Sequence, residues 1–287
     1  MTKPTSALRA LLARDGQAVF APGAYDALLA KLVEKQGFEA VYMTGAGVSG
    51  ALGLPDLGLL SMSEITDVLR RMVKAVKVPV IADADTGYGN ELNVVHAVRE
   101  FEATGCAGLH IEDQEFPKKC GHLADKQIAP LDEYVRKIRA AVYARQDPDF
   151  LIIARSDARA KLGFEESVRR VNAALDAGAD IGFVEAPETM EEVEAIPKLV
   201  NGPCMINIVR GGMTPIVSNF ELQKMGYKIV ITPGMALMTV ITAYEACLKG
   251  LKETGTIPEP LEALSIVGVL ERVDIEQWEA DRKFVSG

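Results

Sequence analysis

Three acidic side chains stand where apolar runs break off: Asp83 and Asp85 in "VPVIADAD", and Glu112 in "AGLHIED". Side chains two apart on a strand lean to one face. Three carboxylates drawn together repel unless a cation joins them, and oxygen-only donors suit Mg²⁺ or Mn²⁺ with several waters retained. A helix cap or a salt-bridge network uses the same residue types, and D-x-D alone does not decide between them. A few residues on, "FPKKCGH" (116–122) sets Cys120 among Lys118, Lys119 and His122, each of which favours a thiolate. Gly121 gives that run freedom to bend. An exposed basic loop is the bland reading of such a cluster. The segment of about 114–130, however, is longer than a usual βα connection, and long loops are often lids. Arg155 ends the apolar run "FLIIARSD", where a planar bidentate donor suits a substrate carboxylate. Pairing with Glu185, at the end of "DIGFVEAP", is an equal alternative, and Asn207 is ambiguous in the same way.

Eight apolar runs must position these residues. They begin at "QAVFAPG" (17–23), "AVYMTG" (40–45), "VPVIADAD" (78–85) and "AGLHIED" (107–113). "FLIIARSD" (150–157), "DIGFVEAP" (180–187), "PCMINIV" (203–209) and "KIVITPG" (228–234) follow. Near-continuous apolar character suits strands buried on both faces of a parallel sheet. Between them lie helical patterns, as in "SMSEITDVLRRMVKAV", where Ser61 and Glu64 form a capping box. Gly37, Gly105, Gly178 and Gly226 precede the even-numbered strands, and prolines precede strands three, five and seven. The count fits a (β/α)₈ TIM-type barrel of typical size, ~250 residues. A doubly wound sheet usually carries G-x-G-x-x-G after its first strand, and "APGAYDALLA" does not match. The expectation is one domain over 1–287, with a helical extension from about 253. That extension carries Trp278 and covers either the barrel or a neighbouring subunit. "MTKPTSALRALLARDGQ" reads as a surface helix. In such barrels catalytic groups collect where strands end, and here polar residues concentrate at one end of nearly every strand.

The chain has 287 residues and a net charge of −9. That balance argues against nucleic acid as a partner. No stretch approaches the ~20 apolar residues of a membrane span. Four widely spaced cysteines without a CxxC point to reduced thiols and a cytoplasmic location.

At "YMTGAGVSGALGLPD" (42–56), "DADTGYGN" (83–90), "GLHIEDQ" (108–114), "KKCGH" (118–122), "ARSDAR" (154–159), "FVEAP" (183–187) and "NIVRGGMTP" (207–215), the chain resembles the isocitrate lyase and phosphoenolpyruvate mutase superfamily. "KKCGH" is similar to the signature of its carbon–carbon lyase branch, which includes 2-methylisocitrate lyase and 2,3-dimethylmalate lyase. The resemblance implies a barrel whose eighth helix swaps between subunits of a homotetramer, a dimer of dimers. It implies Mg²⁺ held directly by Asp83 or Asp85, the rest of the Asp56, Asp83, Asp85 and Glu112 set acting through waters. It implies a dicarboxylate or tricarboxylate substrate gripped by Thr44, Gly45, Ala46 and Arg155, with Glu185, Asn207 and Gly121 also at the substrate. Cys120 becomes a proton donor tuned by Lys119 and His122, and Tyr42 handles the hydroxyl proton. The implied reaction is C2–C3 cleavage of a 2-alkylmalate-type acid to pyruvate and a second carboxylic acid. Oxaloacetate hydrolysis and phosphonate mutase chemistry are the alternatives, the latter disfavoured by Cys120. Arg210 stands near where 2-methylisocitrate lyases carry an acid, which weighs against that substrate.

Overall fold

The computed structural model describes residues 2–123, 125–258 and 264–287. The chain opens with α1 (Pro4–Leu12), β1 (Val19–Ala24), α2 (Ala27–Lys35), β2 (Val41–Met43), α3 (Gly45–Ala51), α4 (Met62–Ala75), β3 (Val80–Asp83) and α5 (Glu91–Ala103). It continues through β4 (Gly108–Glu112), α6 (Leu131–Ala144), β5 (Leu151–Ser156), α7 (Arg159–Leu162), α8 (Phe164–Asp176), β6 (Ile181–Val184) and α9 (Met190–Leu199). Then come β7 (Cys204–Asn207), α10 (Asn219–Met225), β8 (Ile229–Thr232), α11 (Met235–Thr254), α12 (Ile266–Arg272) and α13 (Ile275–Ser286). Seven of the eight apolar runs contain one whole strand each, and β1 runs one residue past the first. The strands pair in parallel in chain order, and β8 returns to β1 with Val19 opposite Ile229, closing the expected barrel.

The two-residue period of a strand decides what enters the barrel. Val19, Ala21, Tyr42, Ile81, Ile153, Phe183, Met205 and Ile231 pack together inside it. The intervening Val41, Met43, Val80, Ala82, Leu109, Ile111 and Ile152 pack outward with the helices. The same inward parity, carried one step towards the strand ends, reaches Asp83, Glu112, Arg155, Glu185 and Asn207. The chemistry therefore occupies the layer directly above the apolar plug.

The N-terminal helix differs from expectation. Leu8 of α1 is fully buried in the cluster that fills the barrel, with Leu11 and Leu12 packed against it. Its polar face is tied to the loops ahead of β5 and β6, through Thr5 to Asp147 (3.0 Å) and Arg9 to Asp180 (2.7 Å). An amphipathic stripe looks the same in sequence whether it lies on a surface or stops a barrel, so α1 reads as a surface helix and instead closes the barrel floor. The capping box of Ser61 and Glu64 is present at α4. Gly37, Gly105, Gly178 and Gly226 all adopt positive φ at helix ends, which explains half of the Gly/Pro alternation.

The C-terminal helices cover little of their own barrel. No residue of α11 is buried, and Met238, Ile241, Tyr244, Leu248 and Leu251 are exposed. Trp278 on α13 is 70% exposed. Of the two roles expected for the extension, covering the barrel is therefore not the one seen for Trp278. Contact with the barrel runs through the start of α11, where Ala236 and Leu237 pack on the core, and through Asp274, which pairs with Lys31 and, at 2.6 Å, with Lys35 of α2. Among the described residues, no helix is long and apolar enough to cross a membrane.

Candidate active site

A cavity of about 180 Å³ opens at the C-terminal mouth of the barrel. Tyr42, Thr44, Ala46, Asp56, Asp83, Lys118, Cys120, Gly121, His122, Arg155, Glu185 and Asn207 line it. Val209, Pro233, Leu237 and Met238 form an apolar arc on its far side. Most residues singled out in the sequence thus converge, from seven strand ends and loops. Gly45, Asp85 and Glu112 lie beside the cavity rather than on its wall. The Lys119 side chain is not on the wall either; its backbone is pinned to Gln114, whose amide accepts from Lys119 N–H (3.0 Å) and donates to Lys119 C=O (2.8 Å). Arg210 is exposed and lies on a neighbouring surface hollow with Ile216 and Thr232.

The acidic end is organised by a lysine. Lys118, only 4% exposed, pairs with Asp56 and, at 2.9 Å, with Asp85. Burial opposes its charge, but Asp85, Glu112, Asp83 and Asp56 outweigh burial and raise its pKa well above the ordinary value. Asp83 accepts from the Gly45 N–H (3.2 Å) and the Asp85 N–H (3.0 Å). A Cβ at position 45 would meet Asp83 Oδ2 at 2.8 Å, so glycine is required by close approach. Asp85 has φ 47°, so the turn after β3, not strand parity, aims it. Burial, with like charge from Asp83 and Asp56, pushes Asp85 up to about 6 despite Lys118. Burial also pushes Glu112 well up against the pull of Arg155. Both Glu112 carboxylate oxygens lack a hydrogen-bond partner, although Oε2 lies 3.3 Å from Arg155 Nε.

This donor set fits a cation. Asp56, Asp83, Asp85, Glu112, Asp157 and Glu185 outnumber the charges of Lys118, Lys126 and Arg155, and the surplus shows in the orphaned oxygens of Glu112 and Glu185 and in the raised pKa values of Asp85 and Glu112. Among the described residues no three His, Cys, Asp or Glu side chains close on one point as a complete chelate. Mg²⁺ does not require that, since it commonly takes one or two carboxylates and keeps its waters.

Tyr42, buried in the barrel, lies with its hydroxyl 2.7 Å from His110 Nε2 and 3.5 Å from Asp83 Oδ2. Burial lowers His110 to about 4, so the imidazole is neutral at neutral pH. Arg155 donates from Nε (2.8 Å) and Nη2 (3.1 Å) to Asp157, and its guanidinium lies over the Phe183 ring. Glu185 Oε2 is 3.6 Å away, so the pairing foreseen as an alternative coexists with a position on the cavity wall. His122 Nδ1 accepts from the Met213 N–H (3.3 Å), which leaves Nε2 to carry a proton towards Glu185 (3.3 Å). Asn207 donates to Glu185 Oε1 at 3.1 Å.

Cys120 is held by its backbone, with its N–H donating to Asp56 C=O (3.2 Å). Burial pushes its thiol above the ordinary value, and Asp56 adds to the effect. The sequence suggests the opposite, a thiolate favoured by Lys118, Lys119 and His122. In the fold Asp56 and Asp85 absorb Lys118, and His122 faces Glu185. The thiol stays protonated, which disfavours a nucleophile and suits an acid.

Five contributors had no distinct signal in the sequence. His110 sits at a strand end but looks like a satisfied core histidine. Asp157 and Lys126 are 31 residues apart, and Leu237 and Met238 belong to a helix pattern.

A family model described as phosphoenolpyruvate phosphomutase matches residues 8–252. The chain is 47% identical over 239 residues to 2,3-dimethylmalate lyase of Eubacterium barkeri, covering 83% of each. It is 42% identical over 264 residues to 2-methylisocitrate lyase of Aeropyrum pernix, covering 92% of this chain and 85% of that one. A solved structure of oxaloacetate acetylhydrolase with the inhibitor 3,3-difluorooxalacetate superposes with a TM-score of 0.95 at 33% identity, covering 99% of this chain and 98% of that one. A closed parallel barrel with carboxylates and a loop-borne thiol at its C-terminal mouth has the architecture of a barrel enzyme. The chain belongs to the phosphoenolpyruvate mutase and isocitrate lyase superfamily, and it is an enzyme of the carbon–carbon lyase kind.

Proposed function

We propose that the protein is a Mg²⁺-dependent lyase that cleaves the C2–C3 bond of a 2-alkylmalate, with 2,3-dimethylmalate favoured over 2-methylisocitrate. The carrying observation is that Cys120 lines one small cavity with Arg155, Asp56 and Asp83, where burial favours its protonated thiol. The substrate carboxylate lies on Arg155 and the Thr44–Ala46 turn. Tyr42 relays the 2-hydroxyl proton: its oxygen accepts that proton as its own passes to neutral His110 Nε2, 2.7 Å away. The C2–C3 electron pair leaves on C3 and is delocalised onto the second carboxylate, while C2 becomes the carbonyl of pyruvate. Cys120 gives its proton to C3, and His122 holds the loop over the site through Glu185 and the Met213 N–H. Asp83, Asp85, Asp56 and Glu112 are the residues to hold Mg²⁺, directly or through water. Bound there, the ion supplies charge stabilisation for the oxygen on C2.

The choice of substituents rests on the far wall. Val209, Pro233, Leu237 and Met238 offer burial to methyl groups but no partner to a third carboxylate. Lys118 and Arg155 are already matched by acids. The cavity is also below the ~300–1,000 Å³ of ordinary ligand pockets, which suits a small acid. The test is release of a 2-oxo acid from 2,3-dimethylmalate and from 2-methylisocitrate. Turnover on the first should stop with EDTA and fall near background in Cys120→Ala. Wild-type turnover in Cys120→Ala would refute the lyase mechanism.

The small cavity and the likeness to oxaloacetate acetylhydrolase support a second reading, hydrolysis of oxaloacetate to oxalate and acetate. Oxalate production from oxaloacetate separates the two. We further propose a homotetramer in which the exposed apolar face of α11 is covered by a second copy. Light scattering at the mass of four chains is the expected result.

A further inference from the structure

Lys126 lies outside the cavity wall yet is 3% exposed, an unusual place for an ammonium group. It has two partners. One is the Gly121 carbonyl, on the turn that carries Cys120; the other is Asp157 Oδ1, at 3.0 Å. Asp157 in turn receives Arg155 Nε and Nη2. Its own backbone N–H is fixed to Asp113 Oδ1 at 2.7 Å, so Asp157 belongs to the rigid strand end, not to the loop. The loop meets this pair at a second point. A Cβ on Gly121 would lie 2.4 Å from Arg155 Nη2 and 2.9 Å from Asp157 Oδ1. The turn of Cys120 is therefore seated flat on the Arg155–Asp157 pair, and a buried cation clamps it there.

We infer that Lys126 and Asp157 are positioning residues that couple the seating of the Cys120 turn to the aim of the substrate-binding Arg155. Asp157 is shared between the two jobs. With Lys126 on one oxygen, Asp157 holds Arg155 through Nε and Nη2 on the wall of the cavity that Cys120 also lines. Without Lys126, Asp157 can swing with Arg155, and the Gly121 carbonyl loses its donor. Acid and carboxylate grip thus come into register by one contact. This deepens the proposed lyase reading.

The test reads Cys120 without needing turnover. Alkylation of Cys120 by iodoacetamide is followed by peptide mass spectrometry, with and without oxalate and Mg²⁺ as probe. Lys126→Met should speed alkylation by about tenfold or more, the effect of losing one charged hydrogen bond. Oxalate should no longer protect the thiol, and Lys126→Arg should restore part of the protection. In steady state, Lys126→Met should lower kcat and raise KM together, since both acid and grip are displaced. An alkylation rate within twofold of wild type in folded Lys126→Met overturns the inference, whatever the substrate proves to be. Should Lys126→Met not fold, Gly121→Ala carries the same test: faster alkylation with Lys126 intact supports the seat, and an unchanged rate overturns it.

Discussion

Replacing Lys118 by methionine is the sharpest single perturbation of the acidic centre. Its ammonium lies 2.9 Å from Asp85 and also pairs with Asp56, and all three side chains are largely buried. The attraction to Asp85 alone is roughly 6 kcal/mol at an effective dielectric of ~20, before desolvation of the ammonium is subtracted. Removing one partner leaves acids without compensation, and losses of ~3–5 kcal/mol are usual for such buried pairs. Urea unfolding followed by circular dichroism, in EDTA at neutral pH, should show a loss of that size. Lys118 and a divalent cation answer to the same carboxylates. Mg²⁺ should therefore stabilise Lys118→Met more than wild type, towards the ~2.7 kcal/mol expected at a hundredfold excess over Kd. A loss below ~1 kcal/mol would refute the account of Lys118 as the charge that holds the centre together. An equal Mg²⁺ effect in both proteins would refute the sharing of carboxylates between lysine and cation.

Gly45→Ala forces a Cβ to 2.8 Å from Asp83 Oδ2, and the resulting shift of the site should lower kcat/KM about 10²-fold with the circular dichroism spectrum unchanged. Burial holds the Cys120 thiol above its ordinary value, so the acid stays loaded as pH rises through neutrality. The alkaline limb of the kcat profile should then lie above the ~8.5 of a free thiol; a limb near neutral pH would contradict the assignment. Leu237→Arg places a cation on the apolar arc and should reduce 2,3-dimethylmalate turnover by tenfold or more, since a desolvated charge faces a methyl group, while binding of a tricarboxylate improves. Inhibition constants for the two acids measure that exchange.

The barrel was legible because its signal is local. Each apolar run is short and nearly unbroken, and the polar residue that ends it marks the mouth. Ile81 followed by Asp83, and Phe183 followed by Glu185, show inward parity passing from plug to chemistry in one step. The loop was less legible. Lys118 and Lys119 are adjacent in an irregular segment with no period to say which points inward, and the fold turns Lys118 to the acids while Gln114 pins the backbone of Lys119. Lys126 and Asp157 meet only because the loop folds back onto β5, a contact no spacing encodes. For Leu8 the pattern was clear and its destination was not, because a helix stripe does not say what it packs against.

Partner saturation, more than burial, separates the acids that build this mouth from those free to act. Asp113 spends both oxygens on Ser156, the Asp157 N–H and Arg170. Asp157 spends both on Arg155 and Lys126, and these cations hold its carboxyl low despite burial. Those two lock β4 to β5 and aim the arginine. Burial drives up both Asp113, to about 6, and the equally buried Glu112, but only Glu112 has no hydrogen bond on either oxygen. A protein does not gain stability from such a residue, because an unpartnered buried acid costs free energy in either protonation state. Its cost is explained if the missing partner arrives from outside the chain, as a cation or its waters. In sequence Glu112 and Asp113 are neighbours with the same chemistry at the same strand end. One residue of parity sends the first towards the barrel mouth and the second into the framework, and in the proposed lyase that step decides which carboxylate is left to meet a cation.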